Sequence, residues 1–506
     1  MKKTVFIKNA AILTATSLVL RFAGIIFKVW LASLVGSEGI GLYQLIFSVY
    51  MLASTFASSG ICTAVTRLVA EELALGSKKG TLKILRRSIE ITLIAAFVSV
   101  AVVYFGADFI ARVILKDLRA VEALKVLPFS LPFMGVSSCL RGYFIARRKA
   151  TPGAVSQLSE QAVRIVLVVV LVKRFIHKGI AVSCAAVMLG DVISELVGCL
   201  ILALTYLTDQ KRLKSLSGRK HPPYKIVKKI MDIAAPITSG RYLNTALRTG
   251  ENILVPQSLA KYRLGGENAL SQFGMIKGMA LPILFFPSAV LNSVSTLLIP
   301  EMSEAAAQKR DYIVKTATEN ILKLTAVLSF IFSAIFFVAG DKIGILIYKD
   351  PSVGELLKVL SPIVPLMYLD SISDGILKGL DQQNYTFFTA VSDSSIRIVL
   401  VLLMLPLSGI KGFIGIMYFS NLFTCLLHLL RLKKISKARL KLCGEIILPL
   451  VSALTVALLT STFLNVLNIS NMLVYIIFMC VISISFYVLL LFTFGVVTID
   501  EIKNVF

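Results

Sequence analysis

Two sets of polar residues, each set in an apolar stretch, carry the chemistry available to this chain. In the first, Thr14, Ser17, Arg21, Gly24 and Lys28 recur at three- and four-residue intervals through Ile12, Leu13, Leu18, Val19, Phe22, Ile25, Ile26 and Phe27. On a helix that spacing puts them on one face. In the second, Thr238, Arg241, Asn244, Arg248 and Glu251 repeat the pattern, and Arg241 and Arg248 stand seven residues apart, as Arg21 and Lys28 do. A charge at mid-membrane costs about 2.5–3.5 kcal/mol even on insertion scales, so four cost on the order of 10–14 kcal/mol. They must line water or protein, and the two helices are expected to be facing walls of one polar cavity built for an anion. A guanidinium fork meets phosphate oxygens two at a time, which makes a phosphorylated headgroup the expected guest. The competing reading is that the four snorkel to the interfaces or pair with acids on other spans, and Lys28 suits snorkelling best. Around them, Asn244, Thr245, Asn252 and Gln257 are suited to recognising sugar hydroxyls, and Glu251 is spaced to pair with one of the arginines. Lys277, between Gly274 and Gly278 and followed by Pro282 and Pro287, sits in a stretch whose broken backbone suits a bend around a cavity.

Other charges fall inside apolar stretches. Glu160/Arg164 and Asp393/Arg397 are i, i+4 pairs. Each is either an ion relay or a clasp that neutralises its own helix; their symmetric recurrence without excess charge favours structural ion pairs. Asp191 and Glu195, also i, i+4, either bind a coupling cation or pair with a basic residue on a neighbouring helix. Arg141 and Asp374, of opposite sign, could meet near the cytoplasmic ends. The coupling ion itself is not specified. The seven cysteines are scattered without a CxxC, and His177, His221 and His428 are far apart. Gly76-Ser77-Lys78-Lys79-Gly80-Thr81 fails the phosphate-loop spacing. No cofactor, no metal site and no enzymatic activity are therefore expected.

The elements that must hold these residues are membrane spans. Of the 506 residues, 57% are hydrophobic and 16% charged, against about half and a quarter in soluble domains; the mean hydropathy is +0.84. The net charge of +25 does not indicate nucleic acid, because the cations cluster in short loops where anionic membrane lipids are sufficient partners. At about 20 residues per span, fourteen are expected, near 7–34, 40–69, 89–115, 123–146, 154–176, 179–207, 228–256, 270–300, 314–339, 355–379, 385–406, 409–430, 444–464 and 472–496. The first apolar run continues past Arg21 to Leu34 without a cleavage site, so it is kept as a span. Alternate loops are basic, with Lys173/Arg174/Lys178 the exception, which predicts a plasma-membrane protein with both termini in the cytoplasm. The long basic segment from Asp209 to Lys229 reads as a linker between two lobes.

The lobes are related in sequence. A constant shift of 233 lays 126–168 over 359–401, bringing Pro132, Gly142, Glu160 and Arg164 onto Pro365, Gly375, Asp393 and Arg397. A shift of 220 brings Arg21 onto Arg241 and Lys28 onto Arg248. The predicted architecture is all-α and polytopic: an N-lobe over 1–215, a C-lobe over 216–435 related to it by a pseudo-two-fold axis, and two extra helices over 436–506. Such parallel repeats place the substrate between them and work by alternating access.

With its cationic first helix, Arg141-Gly142-Tyr143-Phe144 leading to Thr151-Pro152, Glu160 and Arg164, and Phe286-Pro287-Ser288 ahead of Leu298-Ile299-Pro300-Glu301, the chain resembles the mouse-virulence-factor branch of the MATE-like flippase superfamily, which includes the MurJ-type proteins. The resemblance implies export of an undecaprenyl-diphosphate-linked saccharide, lipid II for spore cortex foremost, whose diphosphate is gripped by spans one, two, seven and eight. On this match Arg21 is the family's first-helix arginine, Lys28 lies one residue beyond its second, and Pro282 stands where MurJ-type proteins carry a cavity arginine, with Lys277 a turn earlier. A drug antiporter of the same superfamily would need an acid in the first helix, which has none. A non-transporting scaffold would need no such cations.

Overall fold

Glycine decides where the apolar stretches break. The computed structural model describes residues 2–211, 223–262, 269–288, 291, 302–308, 310–438, 442–467, 469 and 471–496. Helix runs through Lys2–Ser58 except at Gly36, whose φ of 70° and ψ of −179° no β-carbon tolerates easily, so the run divides into α1 (2–35) and α2 (37–58). Gln383–Ser436 divides in the same way at Gly409, φ 58°, into 383–408 and 410–436. The first break falls in the loop predicted between 34 and 40, and the second on the first residue of the span predicted over 409–430.

The chain forms two compact units, Met1–Gln257 and Ser258–Phe506. In the first, α1 and α2 are followed by α3 (Ile61–Ala74), α4 (Lys78–Phe105), α5 (Leu131–Ala146), α6 (Thr151–Phe175), α7 (Ile180–Lys211) and α8 (Pro223–Leu259). Its core joins Val65 and Leu68 of α3, Leu85 of α4, Tyr143 and Phe144 of α5, Leu202 of α7 and Ile230 of α8. The second unit contains α9 (Ala269–Phe285), α10 (Asp311–Tyr348), α11 (Pro351–Leu360), α12 (Val364–Gly379), α13 (383–408), α14 (410–436), α15 (Leu448–Val466) and α16 (Met472–Thr493). The 38-residue α10 is its axis, packed against α11, α12, α15 and α16. Ser333 donates to the Ser361 carbonyl at 2.8 Å and Tyr487 to that of Val327 at 3.1 Å. The two helices beyond the duplicated region are thus seated on α10.

Large apolar side chains that no other helix covers run along the outer faces, as at Ile94, Phe97 and Phe105 of α4 and Leu459, Phe463 and Val466 of α15. In water such rows would drive aggregation; a helix that satisfies its own backbone can present them to lipid. Among the described residues, ten stretches are long and apolar enough to cross a membrane, and Ala11–Ala74 and Gln383–Ser436 each hold two of the predicted spans. With α8, too polar for that criterion, and the short α9, every predicted span has a helix on the described residues. This is an all-α, multi-pass membrane protein. The 212–222 part of the linker and the Leu298–Glu301 motif lie outside the described residues.

Helix α8 is counted with the first unit because it packs closely at the joint between α2 and α3. Gly60 takes a φ of 76° there, and a β-carbon added to it would stand 2.5 Å from the Ala234 carbonyl oxygen and 2.8 Å from Thr238 Oγ1. Gly60→Val is therefore expected to cost about 2 kcal/mol or more, combining a strained backbone with an overpacked contact. Gly153→Ala, where a β-carbon meets nothing within 4 Å, serves as the control. Thermal unfolding in detergent should show a drop of several degrees for the first and almost none for the second.

Candidate functional site

Helix α1 has no acidic residue from end to end. Arg21 is exposed along it and Lys28 half-buried. On α8, Arg241 and Arg248 are both exposed. Among the described residues, none of these four cations forms an ion pair. In the same unit Arg67, Arg86, Arg87, Lys125, Arg141 and Arg164 do form ion pairs.

What positions α8 is a seam of hydroxyl and amide contacts along α2. Thr238 donates to the Ser59 carbonyl at 2.5 Å, and Thr245 Oγ1 lies 3.3 Å from Thr55 Oγ1. Further along, Thr249 donates to the Ser48 carbonyl at 3.0 Å and Asn252 to Ser48 Oγ at 3.0 Å. Numbers fall on α2 as they rise on α8, so the helices run antiparallel. Small side chains let them approach, and each hydroxyl satisfies what lipid could not. At about 100° per residue, Arg241 and Arg248 stand roughly 50° round α8 from the seam, at its edge.

The remaining expected site residues divide. Asn244 is half-buried, with Oδ1 buried and without a hydrogen-bond partner among the described residues. Glu251, expected on the same polar face as the arginines, is only 3% exposed, inside the unit. Thr245, Asn252 and Gln257 differ from the reading as sugar ligands: the first two belong to the seam, and Gln257 donates to the Ile114 carbonyl at 2.5 Å. Packing claims them because a buried amide or hydroxyl must bond to something fixed. Lys277 lies in the second unit, half-buried in a π-helical turn, Gly274–Ala280, with its ammonium 5.8 Å over the Phe413 ring.

The paired charges form larger assemblies than i, i+4 spacing indicates. Arg164 Nη2 reaches Glu160 Oε1 at 3.0 Å, closing the expected pair on α6. Its Nε also lies 2.7 Å from Asp191 Oδ1 on α7, off the N–H axis, and Arg141 Nη2 of α5 reaches Glu160 Oε2 at 3.2 Å. Of the two readings of Asp191, the structure supplies the basic neighbour. Glu195, a turn on, keeps a buried Oε2 without a hydrogen-bond partner among the described residues. Asp374, expected to meet Arg141, is held by Lys378 at 2.5 Å on its own helix, and Arg141 by Glu160. In the second unit Ser420 donates to Asp393 Oδ1 at 2.6 Å and accepts from Arg397 at 3.4 Å, bridging the equivalent pair. His428 Nδ1 meets Asp370 Oδ1 at 2.8 Å. Fifty-eight residues separate those two, so no local pattern announces them.

The family model described as "Polysaccharide biosynthesis protein" matches residues 6–306. Stage V sporulation protein B of Bacillus subtilis (strain 168) is 30% identical over 450 residues, covering 87% of this chain and 86% of that protein. Among solved structures, the lipid II flippase MurJ in an inward closed conformation superposes with a TM-score of 0.70 at 13% identity, covering 96% of this chain and 98% of that one. A multidrug resistance MATE family transporter of the MOP superfamily, inward-facing, gives 0.62 at 15% identity over 84% and 100%. The fold is therefore the one those transporters share.

Arg164 holds two carboxylates of different helices, and its loss would leave Glu160 with Arg141 alone and Asp191 without its ion-pair partner among the described residues. Arg164→Met is expected to destabilise the first unit by roughly 2–4 kcal/mol, the range for breaking a buried pair discounted for partial exposure. Arg67→Met, which removes the exposed pair with Glu71, should cost under about 1 kcal/mol. Chemical unfolding of the two variants in one detergent compares them directly.

Proposed function

We propose, taking as premise that this chain belongs to the polysaccharide biosynthesis protein family, that it carries an undecaprenyl-diphosphate-linked saccharide from the inner to the outer leaflet by alternating access. Lipid II is the first candidate, and spore cortex peptidoglycan its destination. The observation that carries the reading is the set of four cations, Arg21, Lys28, Arg241 and Arg248, which have no acidic partner among the described residues and sit on two helices of one unit. They are the diphosphate site. Asn244, whose Oδ1 is buried without a bond, contributes an amide beside them. Glu251 limits the charge from inside α8; Lys277, in the second unit, is a separate candidate for substrate contact.

The division of labour follows from solvent. The diphosphate is the part of the lipid that hydrocarbon rejects, whereas the prenyl tail stays in the bilayer throughout. An inside-negative potential favours outward movement of an anion by about 2.3 kcal/mol per charge per 100 mV. Both termini lie in the cytoplasm of a plasma-membrane protein, and anionic lipids hold the basic loops. The duplicated lobes are 1–215 and 216–435, with 436–506 outside the repeat. A drug antiporter is disfavoured, because a cationic cargo would meet four like charges and no acid on α1.

Each arginine that grips the diphosphate through charge-assisted bonds is worth about 1.5–3 kcal/mol, hence roughly tenfold to a hundredfold in affinity. Arg21→Ala and Arg241→Ala should each weaken binding of a short-chain prenyl diphosphate by that factor and abolish its movement between leaflets of proteoliposomes. Arg86→Ala, which removes an exposed partner of Glu90 near the start of α4, should change neither. Unaltered binding in the first two variants would refute the site. Comparing lipid II with other prenyl-linked sugars in the same vesicles identifies the saccharide.

A further inference from the structure

Helices α12 and α14 bring together a carboxylate and an imidazole that the diphosphate reading does not use. Asp370 Oδ1 lies 2.8 Å from His428 Nδ1, and the two side chains are 26% and 6% exposed. Among the described residues His428 is the only partner of Asp370. The other ring nitrogen, Nε2, is buried and has no hydrogen-bond partner among the described residues. With a neutral imidazole donating from Nδ1, the pair carries one uncompensated negative charge inside an apolar bundle. A proton on Nε2 converts it to a balanced ion pair. Histidine is the side chain whose ordinary charge change falls between pH 5 and 8.

On α14, Arg431 is occupied by Gln382 at 2.5 and 3.1 Å and lies 5.0 Å over the Tyr385 ring. The Tyr385 hydroxyl donates to the Leu427 carbonyl at 3.1 Å, and its ring stands 6.4 Å from the imidazole. Cys425, one turn back, is 2% exposed. On α12, Asp374 is bound to Lys378. On α10, Glu319, which pairs with Lys315 at 3.9 Å, and Lys323 stand at comparable depth, since Asp311 of that helix meets Lys437 at 3.7 Å. His428 also follows Glu195 by 233 residues, the shift that relates Asp393 to Glu160. The duplicated position thus holds an ionisable group in both units, each with one buried atom lacking a hydrogen-bond partner among the described residues.

We propose that His428 and Asp370 form a proton-binding site in the second unit, which takes up one proton and releases it during the transport cycle. The first clause stands by itself; the second rests on the function proposed above. The test uses the full chain in lipid nanodiscs with ring-labelled histidine, the His428 signal being the one lost in His428→Gln. That signal should change with pH, and Asp370→Asn should move the midpoint of the change. A signal that pH does not change, or a midpoint that Asp370→Asn leaves in place, overturns the site. In proteoliposomes a pH gradient should change wild-type translocation of a prenyl-diphosphate sugar at least about fivefold. His428→Gln and Asp370→Asn should keep the rate without a gradient and lose the response. Variants that respond as the wild type does overturn the coupling. A wild type that moves no prenyl lipid refutes the proposed function instead, and the titration still decides the proton site.

Discussion

A guanidinium inside an apolar helix needs an answer, and almost everything polar in this protein follows from which answers are given and which are withheld. Arg164, Arg141 and Arg147 are each met by a carboxylate on another helix or a turn away. Arg21, Arg241 and Arg248 are not, among the described residues. A bilayer penalises the second kind severely, so the difference is hard to reconcile with a purely structural role. On the function proposed above, the withheld partner is supplied from outside by the anion that crosses the membrane.

The seam between α2 and α8 explains how the unanswered cations are held. Hydroxyl and amide contacts fix α8 through a single face, leaving the arginines at its edge outside the bonding pattern. Such contacts are individually weak in membranes, commonly well under 2 kcal/mol. They locate the helix without locking it, which suits the alternating access proposed above. The charged cluster around Arg164 is the opposite case: it ties α5, α6 and α7 together by ion pairs whose rupture is costly.

Much of the fold was legible in the residues. Gly36 and Gly409 fall between apolar runs, and the chain turns there because glycine alone takes those angles cheaply. The cations of α1 and α8 stood out because they contradict their context. What stayed hidden depends on which helix lies beside which. Asp191 could be read as a cation ligand or as the partner of a neighbour until α6 and α7 were packed together. His428 looked isolated because Asp370 is 58 residues away. Thr245, Asn252 and Gln257 read as sugar ligands for the same reason: polarity shows in a sequence, but the identity of the neighbour that satisfies it does not.

The central claim, that basic side chains of α1 and α8 face water and a shared anion, is tested most directly by chemical accessibility. Cysteine would replace Arg21 or Arg241 in a chain whose seven native cysteines are changed to alanine, reconstituted in vesicles and challenged with a membrane-impermeant anionic thiol reagent. The account predicts that both positions react and that a prenyl diphosphate, but not the corresponding uncharged prenol, protects both together. Labelling only by lipid-soluble reagents, or protection of one position without the other, would contradict it.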